Sequence, residues 1–387
     1  MKIPFHKPIF PEDLNPIIKE SIDSGWVTTG PKVEEFEKQL SEYLYAEHVI
    51  AVNSGTAALH LALAAKGIGI GDKFVVPTYT FVASVEVGEY LGAEPVLVDS
   101  DPDTFNLDLN QVEGILSEEK SRNIKAIIPV HFGGQAVNMK RVNELAEKYD
   151  LFVLEDAAHA VETVSNTGKV GNTNHAAAFS FYANKNITTG GEGGALATND
   201  EQLADKVRKL SLHGMSKDGW KRFEIGGKWE YDVSELGYKY NMTDIAASFG
   251  HEQLTHIDDW YKRRLEIVKL YNDGMSDIEG IILPKHTNGE VHAWHLHVIR
   301  IKPRLWQISR NELIEKINEK GIGTSMHYIP VHMHSYYIEK YNYKPNDFPI
   351  AKKLFETVIT LPLYPKMTNE QTQYIISTLM DLWHQYK

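Results

Sequence analysis

The sequence predicts an α/β protein, a mainly parallel sheet between two layers of helices, followed by a smaller C-terminal α+β unit. Three observations carry that expectation. Short apolar runs alternate with helical stretches from about residue 47 to residue 200, the order that lays parallel strands side by side. The apolar runs lead straight into polar or glycine-rich segments, as strands do where an α/β sheet presents its carboxyl edge to ligands. After a long helical stretch around Ile257 to Tyr271 the pattern breaks into separate pieces: a strand at Trp294 to Ile301 and helices at Arg310 to Lys320 and Gln371 to Trp383. The chain divides accordingly into an N-terminal arm (1–15), a large domain (16–255) and a small domain (256–387).

Taken in order, the first element is the strand-like Val49-Ile-Ala-Val52, which runs into Asn53-Ser-Gly-Thr-Ala-Ala58 and a helix through about Ala65. Small residues at a helix start expose backbone N–H groups, and with the Ser54 and Thr56 hydroxyls and the helix dipole they make a phosphate cradle. An ordinary helix cap has the same look in isolation. Gly67-Ile-Gly-Ile-Gly71 resembles a dinucleotide loop, yet it follows a helix and precedes the strand Phe74-Val-Val-Pro77. That is the reverse of the Rossmann order, and a helix C-cap and turn accounts for it.

Ala126-Ile-Ile-Pro-Val130 and Leu151-Phe-Val-Leu154 read as further strands, the second ending in Glu155-Asp156-Ala-Ala-His159. A carboxylate at a strand end can keep a heteroaromatic nitrogen protonated, because the negative charge stabilises the cation. His159 could face the same ligand, as a ring contact or as a partner for a phenolic oxygen. A helix cap plus a packed histidine is the plainer reading of the pair.

Lys185 follows the apolar strand Ala178-Phe-Ser-Phe-Tyr-Ala and opens the glycine-rich loop that ends at Gly194. A lysine there can be desolvated, which favours its neutral form, and a neutral ε-amine can attack an aldehyde. A lone lysine is most often a surface residue. This one has company: Ser180, on the same strand, adds a hydroxyl for an anion.

Further on, Lys217 to Tyr238 reads as a long irregular excursion before a helix that starts near Thr243, and loops of this length are often functional. His292, His295 and His297 invite a metal site, but no acidic partner stands near them and no metal is expected. No internal repeat or low-complexity tract is present. The 387 residues carry a net charge of -12, which opposes broad nucleic-acid binding while leaving room for a local basic pocket. There is no cysteine, so no disulfide and no thiolate catalyst. The first residues, Met1-Lys-Ile-Pro-Phe-His-Lys-Pro, lack a signal peptide's apolar core. No stretch approaches the roughly 20 apolar residues of a membrane span, so a cytoplasmic protein with no membrane association is expected.

Ser54-Gly-Thr-Ala-Ala58, Glu155-Asp-Ala-Ala-His159 and Ser180-Phe-Tyr-Ala-Asn-Lys185, in this order, resemble the pyridoxal 5'-phosphate (PLP) enzymes of fold type I. More narrowly, the chain resembles the sugar aminotransferases of the DegT/DnrJ/EryC1/StrS family. The resemblance runs nearly end to end, through Gly25-Trp-Val-Thr-Thr-Gly-Pro31, Pro77-Thr-Tyr-Thr-Phe81, Pro129-Val-His-Phe-Gly133, Gly237-Tyr-Lys-Tyr-Asn-Met-Thr-Asp244, His292-Ala-Trp-His295 and Gly321-Ile-Gly-Thr-Ser-Met-His327.

The resemblance implies a seven-stranded sheet and a set of roles. Lys185 would be the lysine that bonds the cofactor and shuttles protons, and Asp156 the partner of the pyridine nitrogen. Phe81 would stack on the cofactor ring, with His159 beside the ring oxygen. Gly55, Thr56, Ala57 and Ser180 would hold the phosphate. Asn241, where many relatives carry arginine, would reach that phosphate from the neighbouring subunit, making the protein a homodimer with shared active sites. Trp26, Thr28 and Thr29 would lie near substrate, and His327, Tyr328 and His332 in a loop that closes over a sugar nucleotide.

The implied reaction moves an amino group from glutamate to the keto carbon of a nucleotide-linked deoxy keto sugar for surface glycan synthesis, with pyridoxamine 5'-phosphate as intermediate. The Thr28-Thr-Gly-Pro31 and His292–His295 segments look most like members acting at C4, with C3 the rival. Family members that dehydrate sugars have histidine in place of the lysine, so Lys185 argues against a dehydratase or lyase. Lys185, Asp156 and Ser180 together argue against a non-catalytic regulator.

Overall fold

The computed structural model describes residues 1–12, 14–215, 232–287 and 289–387. Seven strands form one sheet: β1 His48–Val52, β2 Lys73–Pro77, β3 Glu94–Val98, β4 Ile124–Ile127, β5 Phe152–Asp156, β6 Ala176–Ser180 and β7 Gly194–Thr198. Their spatial order is β1-β7-β6-β5-β4-β2-β3. Strands β3, β2, β4, β5 and β6 run parallel, while β7 is antiparallel to both β6 and β1. A parallel neighbour needs a crossover of a dozen or more residues, usually a helix. The segment between β6 and β7 instead turns back on itself, with Phe181 N–H donating to Gly193 C=O and Ala183 N–H to Gly191 C=O. That return leaves Lys185 at the carboxyl edge of the sheet, not inside a crossover helix.

Around this sheet stand α1 Leu14–Asp23, α2 Pro31–Leu44, α3 Gly55–Ala65, α4 Ala83–Glu89, α5 Leu109–Leu116, α6 Met139–Tyr149, α7 Glu201–Leu210 and α8 Asp244–Thr255. Both faces are covered, so the strands are apolar on both sides. Ile50, Val52, Ala176 and Ala178 pack toward α3 and α7. Their neighbours Val49, Ala51, Ala177 and Phe179 pack toward α2 and α8, as the two-residue side-chain period of a strand requires. Helix α3 is buried all round from Ala57 to Leu63, which explains its apolar sequence on every face.

Helix α9 (Ile257–Met275) leads into a three-stranded antiparallel sheet of β8 Ile281–Ile282, β9 His297–Ile301 and β10 Val358–Leu361. Helices α10 Arg310–Glu319, α12 Pro349–Thr357 and α13 Asn369–Tyr386 complete it, with Ile299, Leu313, Ile317, Ile359 and Leu379 in its core, while α11 Ser335–Tyr341 packs on the large-sheet core through Tyr337 and bonds Glu89 of α4. The N-terminal residues join this unit, since Ile3 N–H donates to Gly321 C=O at 2.8 Å and Ile3 C=O accepts from Gly323 N–H at 2.8 Å. Asp99, just past β3, accepts from the N–H groups of Ile350 and Ala351 and so ties the start of α12 to the large sheet.

The element types expected from sequence are present, and some boundaries move. Strand β4 covers 124–127 where 126–130 was expected, because Pro129 has no N–H to continue the ladder. Strand β9 starts at His297, three residues late, because Trp294 adopts a left-handed φ of 48° that breaks an extended run. Gly67 and Gly71 have positive φ in the turn between α3 and β2, consistent with a C-cap and turn. Most of the excursion expected from Lys217 to Tyr238, through residue 231, lies outside the described residues.

Candidate active site

A cavity of about 430 Å³ opens at the carboxyl edge of the large sheet, and Gly55, Thr56, Phe81, Asp156, His159, Ser180, Lys185, His327 and Tyr328 all face it. At its floor, Ser54 caps α3 by accepting from Ala57 N–H at 3.0 Å. The Gly55 and Thr56 N–H groups have no partner among the described residues, and they sit at the positive end of the helix dipole. Ala57 differs from the expectation, because its amide is spent on Ser54 and its side chain is buried. A Cβ on Gly55 would lie 2.8 Å from Ser180 Cβ, and one on Gly194 would lie 2.5 Å from the Gly55 nitrogen. Only glycine lets β6 and β7 approach the cradle this closely.

Asp156 ends β5 with its carboxylate at the cavity wall. Oδ2 accepts from Ser84 Oγ at 2.6 Å and Oδ1 from Ala158 N–H at 3.1 Å, which fixes the plane of the carboxylate. Phe81, between β2 and α4, is 57% exposed, so one ring face is free to cover a planar ligand.

Lys185 is half-buried and borders the cavity. Burial pushes its amine down to about 8, overriding the opposing pull of Asp156. At neutral pH an appreciable fraction is therefore the nucleophilic neutral amine. His159 and His327 are held neutral, first by burial and then by the nearby Lys185 charge, with His327 lowered to about 4, and His295 first by burial and then by His159.

A network that the sequence did not reveal supports the lysine. Asn186, the next residue, donates to Glu162 at 2.7 Å and its Oδ1 meets His295 Nδ1 at 3.1 Å. Glu162 also accepts from Arg264 of α9, and both side chains of that ion pair are 2% exposed. His295 packs on His159 with ring centroids 4.4 Å apart. Glu162 stands only three residues beyond His159, the one local hint; Arg264 gave none.

Five predicted residues lie elsewhere. Trp26 Nε1 donates to Thr29 C=O at 2.8 Å, Asn241 Nδ2 donates to Thr29 Oγ1 at 2.7 Å, and Thr28 C=O accepts from Asp244 N–H at 3.0 Å. These four residues form a separate cluster beside β1, where Asn241 bridges Val52. His332 is fully buried, 2.7 Å from Thr78 Oγ1 by its Nδ1 and packed on Phe348. It does not line the cavity. Of the three histidines at 292, 295 and 297, His292 stacks on Trp294 at 4.0 Å and His297 bonds Asn272 of α9 at 3.1 Å. Among the described residues no group of three or more potential ligands could hold a metal ion, and no helix is long and apolar enough to cross a membrane.

PLP fits what remains: free amides for its phosphate, a carboxylate for its ring nitrogen, an aromatic face for its ring and an amine for its aldehyde. The comparisons agree. Residues 9–380 match the model of the DegT/DnrJ/EryC1/StrS aminotransferase family. The chain is 44% identical over 382 residues to the spore coat polysaccharide biosynthesis protein SpsC of Bacillus subtilis, covering 98% of this chain and 97% of SpsC. Among solved structures, Spr1654 from Streptococcus pneumoniae in its PLP form, named provisionally as a sugar aminotransferase, superposes with a TM-score of 0.91. It is 32% identical, covering 100% of this chain and 99% of that one. DesV of S. venezuelae, solved in complex with a ketimine intermediate, gives 0.87 at 31% identity over 96% of this chain and 94% of its own.

The fold is that of a PLP-dependent aminotransferase of fold type I. The chain belongs to the DegT/DnrJ/EryC1/StrS aminotransferase family, and pyridoxal 5'-phosphate is its cofactor.

Proposed function

We propose that the protein moves an amino group from glutamate to the keto carbon, C4 in preference to C3, of a nucleotide-linked deoxy keto sugar for surface glycan synthesis in the cytoplasm. The observation that carries this reading is the shared cavity of Lys185, Asp156 and the free amides of Gly55 and Thr56. Bound PLP supplies an electron sink for the carbon that gains or loses a proton. Gly55 and Thr56 N–H and the Ser180 hydroxyl hold the phosphate, and Asp156 keeps a proton on the ring nitrogen. Lys185 Nζ, uncharged for part of the time near neutral pH, takes a proton from the donor's α-carbon and returns it on the far side of the transfer. Phe81 covers one ring face. His327 and Tyr328, brought in by the 256–387 domain, narrow the mouth and exclude water.

The same reading makes the molecule a homodimer in which Asn241, Trp26, Thr28 and Thr29 of the second copy complete the cavity. Their hydrogen-bonded cluster away from Lys185 supports this, since among the described residues the cavity wall holds a single lysine against Asp156 and Glu192. Anionic substrates need more positive charge than that.

The test is incubation of the PLP-loaded protein with glutamate and a panel of nucleotide-linked 4-keto and 3-keto deoxy sugars, with product position read by NMR. Aminated sugar formed in step with 2-oxoglutarate is the expected result. Absence of an aminated product from every acceptor would overturn the reading.

A further inference from the structure

The backbone N–H of Gly133 donates to His159 Nδ1 at 3.1 Å. An amide can only donate, so Nδ1 carries no proton, and the neutral imidazole must be protonated at Nε2. Nε2 lies 3.1 Å from Tyr328 Oη, so His159 donates and Tyr328 accepts. The phenol's own proton must then point elsewhere. Tyr328 Oη has no second partner among the described residues, and the residue borders the same cavity as Lys185 and Asp156.

We infer that Tyr328, oriented by His159, presents its O–H into the cavity as a hydrogen-bond donor to an oxygen atom of the bound reactants. The expectation placed His159 itself beside the cofactor's ring oxygen. Here its only N–H is committed to Tyr328, so a donor for that side of the cavity comes from the phenol. The ring is held in place by His159, nearly parallel at 6.2 Å, by Phe132 edge-on at 6.1 Å and by Phe81 at 6.1 Å. Burial, and then the negative charge of Asp156, push the phenol up, so it keeps its proton at working pH. A neutral donor aimed at a carbonyl or phenolate oxygen stabilises charge that builds there without itself ionising. Two sources supply such an oxygen, the ring oxygen of PLP and the carbonyl of the keto acceptor, the second resting on the proposed function.

The test starts from the cofactor-free protein with ¹⁵N-labelled histidine, where NMR reads the His159 tautomer directly; protonation at Nε2 is expected. Tyr328→Phe is then compared with wild type after a thermal-unfolding check. If the acceptor is the ring oxygen, the visible band of the bound cofactor and its pH midpoint move in the variant. If it is the substrate carbonyl, the band and the glutamate half-reaction stay within twofold while the keto-acceptor half-reaction slows roughly 100-fold. His159 protonated at Nδ1, or a variant unchanged in both arms, overturns the inference. A wild-type protein that reacts with glutamate but aminates no sugar would defeat the proposed function instead, and the cofactor arm would still decide the role of Tyr328.

Discussion

Ser84 Oγ sits 2.6 Å from Asp156 Oδ2, and since a hydroxyl has one proton, Ser84 gives it to the carboxylate. The 2.8 Å contact between Thr80 and Ser84 is therefore donated by Thr80, making a one-way chain that ends on Asp156. Hydrogen bonds to charged groups contribute about 1.5–3 kcal/mol each. Ser84→Ala should thus lower kcat/KM by roughly 10- to 100-fold and weaken PLP binding, read by steady-state kinetics and cofactor titration. Thr80→Val should cost less. A Ser84→Ala enzyme within twofold of wild type would show that Asp156 needs no such anchoring.

The depressed Lys185 amine sets a pH dependence. Because only its neutral form attacks the cofactor aldehyde, uptake of PLP by the cofactor-free protein should rise about tenfold per pH unit below 8 and level off above about 8. The effect on folding has the opposite origin. Burial disfavours the charged form, so this residue destabilises the fold below about 8, and the penalty fades as pH rises from there to the ordinary lysine value of 10.5. Stopped-flow absorbance between pH 6 and 10 measures the first; a midpoint near 10.5 would mean the amine is not desolvated.

Arg264→Ala leaves Glu162 buried without its cation. Breaking one partner of such a pair costs about 3–5 kcal/mol, to be read by denaturant unfolding. Because Glu162 also holds Asn186, the same variant should blunt the glutamate half-reaction in protein that remains folded. Full stability in Arg264→Ala would show that the pair is relaxed by water.

Gly194→Ala would place a methyl 2.4 Å from the Ser54 carbonyl carbon, against backbone that has no rotamer to yield. The cradle must shift, and PLP affinity should fall at least tenfold, measured by equilibrium dialysis. Gly114→Ala, whose new Cβ meets nothing within 4 Å, is the matched control and should leave affinity unchanged.

What could be read in the sequence was local. At Gly55, Asp156 and Lys185 a strand runs within a few residues into a polar or glycine-rich segment, so the order of residue types was enough to place each at a sheet edge. The supports were not legible, because they join distant segments: Ser84 reaches Asp156 across 72 residues, and Arg264 reaches Glu162 across 102. His332 shows the same limit from the other side. Nothing nearby in sequence distinguishes a histidine aimed at substrate from one aimed at Thr78, 254 residues away.

The central claim is that Lys185 bonds the cofactor and drives amine transfer from it. The direct measurement is the visible absorption spectrum of the protein after addition of PLP, wild type beside Lys185→Ala, before and after glutamate. The account expects a yellow band in wild type that bleaches with glutamate, and in Lys185→Ala a different band that glutamate does not discharge at a catalytic rate. A wild-type protein that shows no band, or a variant that bleaches as fast as wild type, would contradict it.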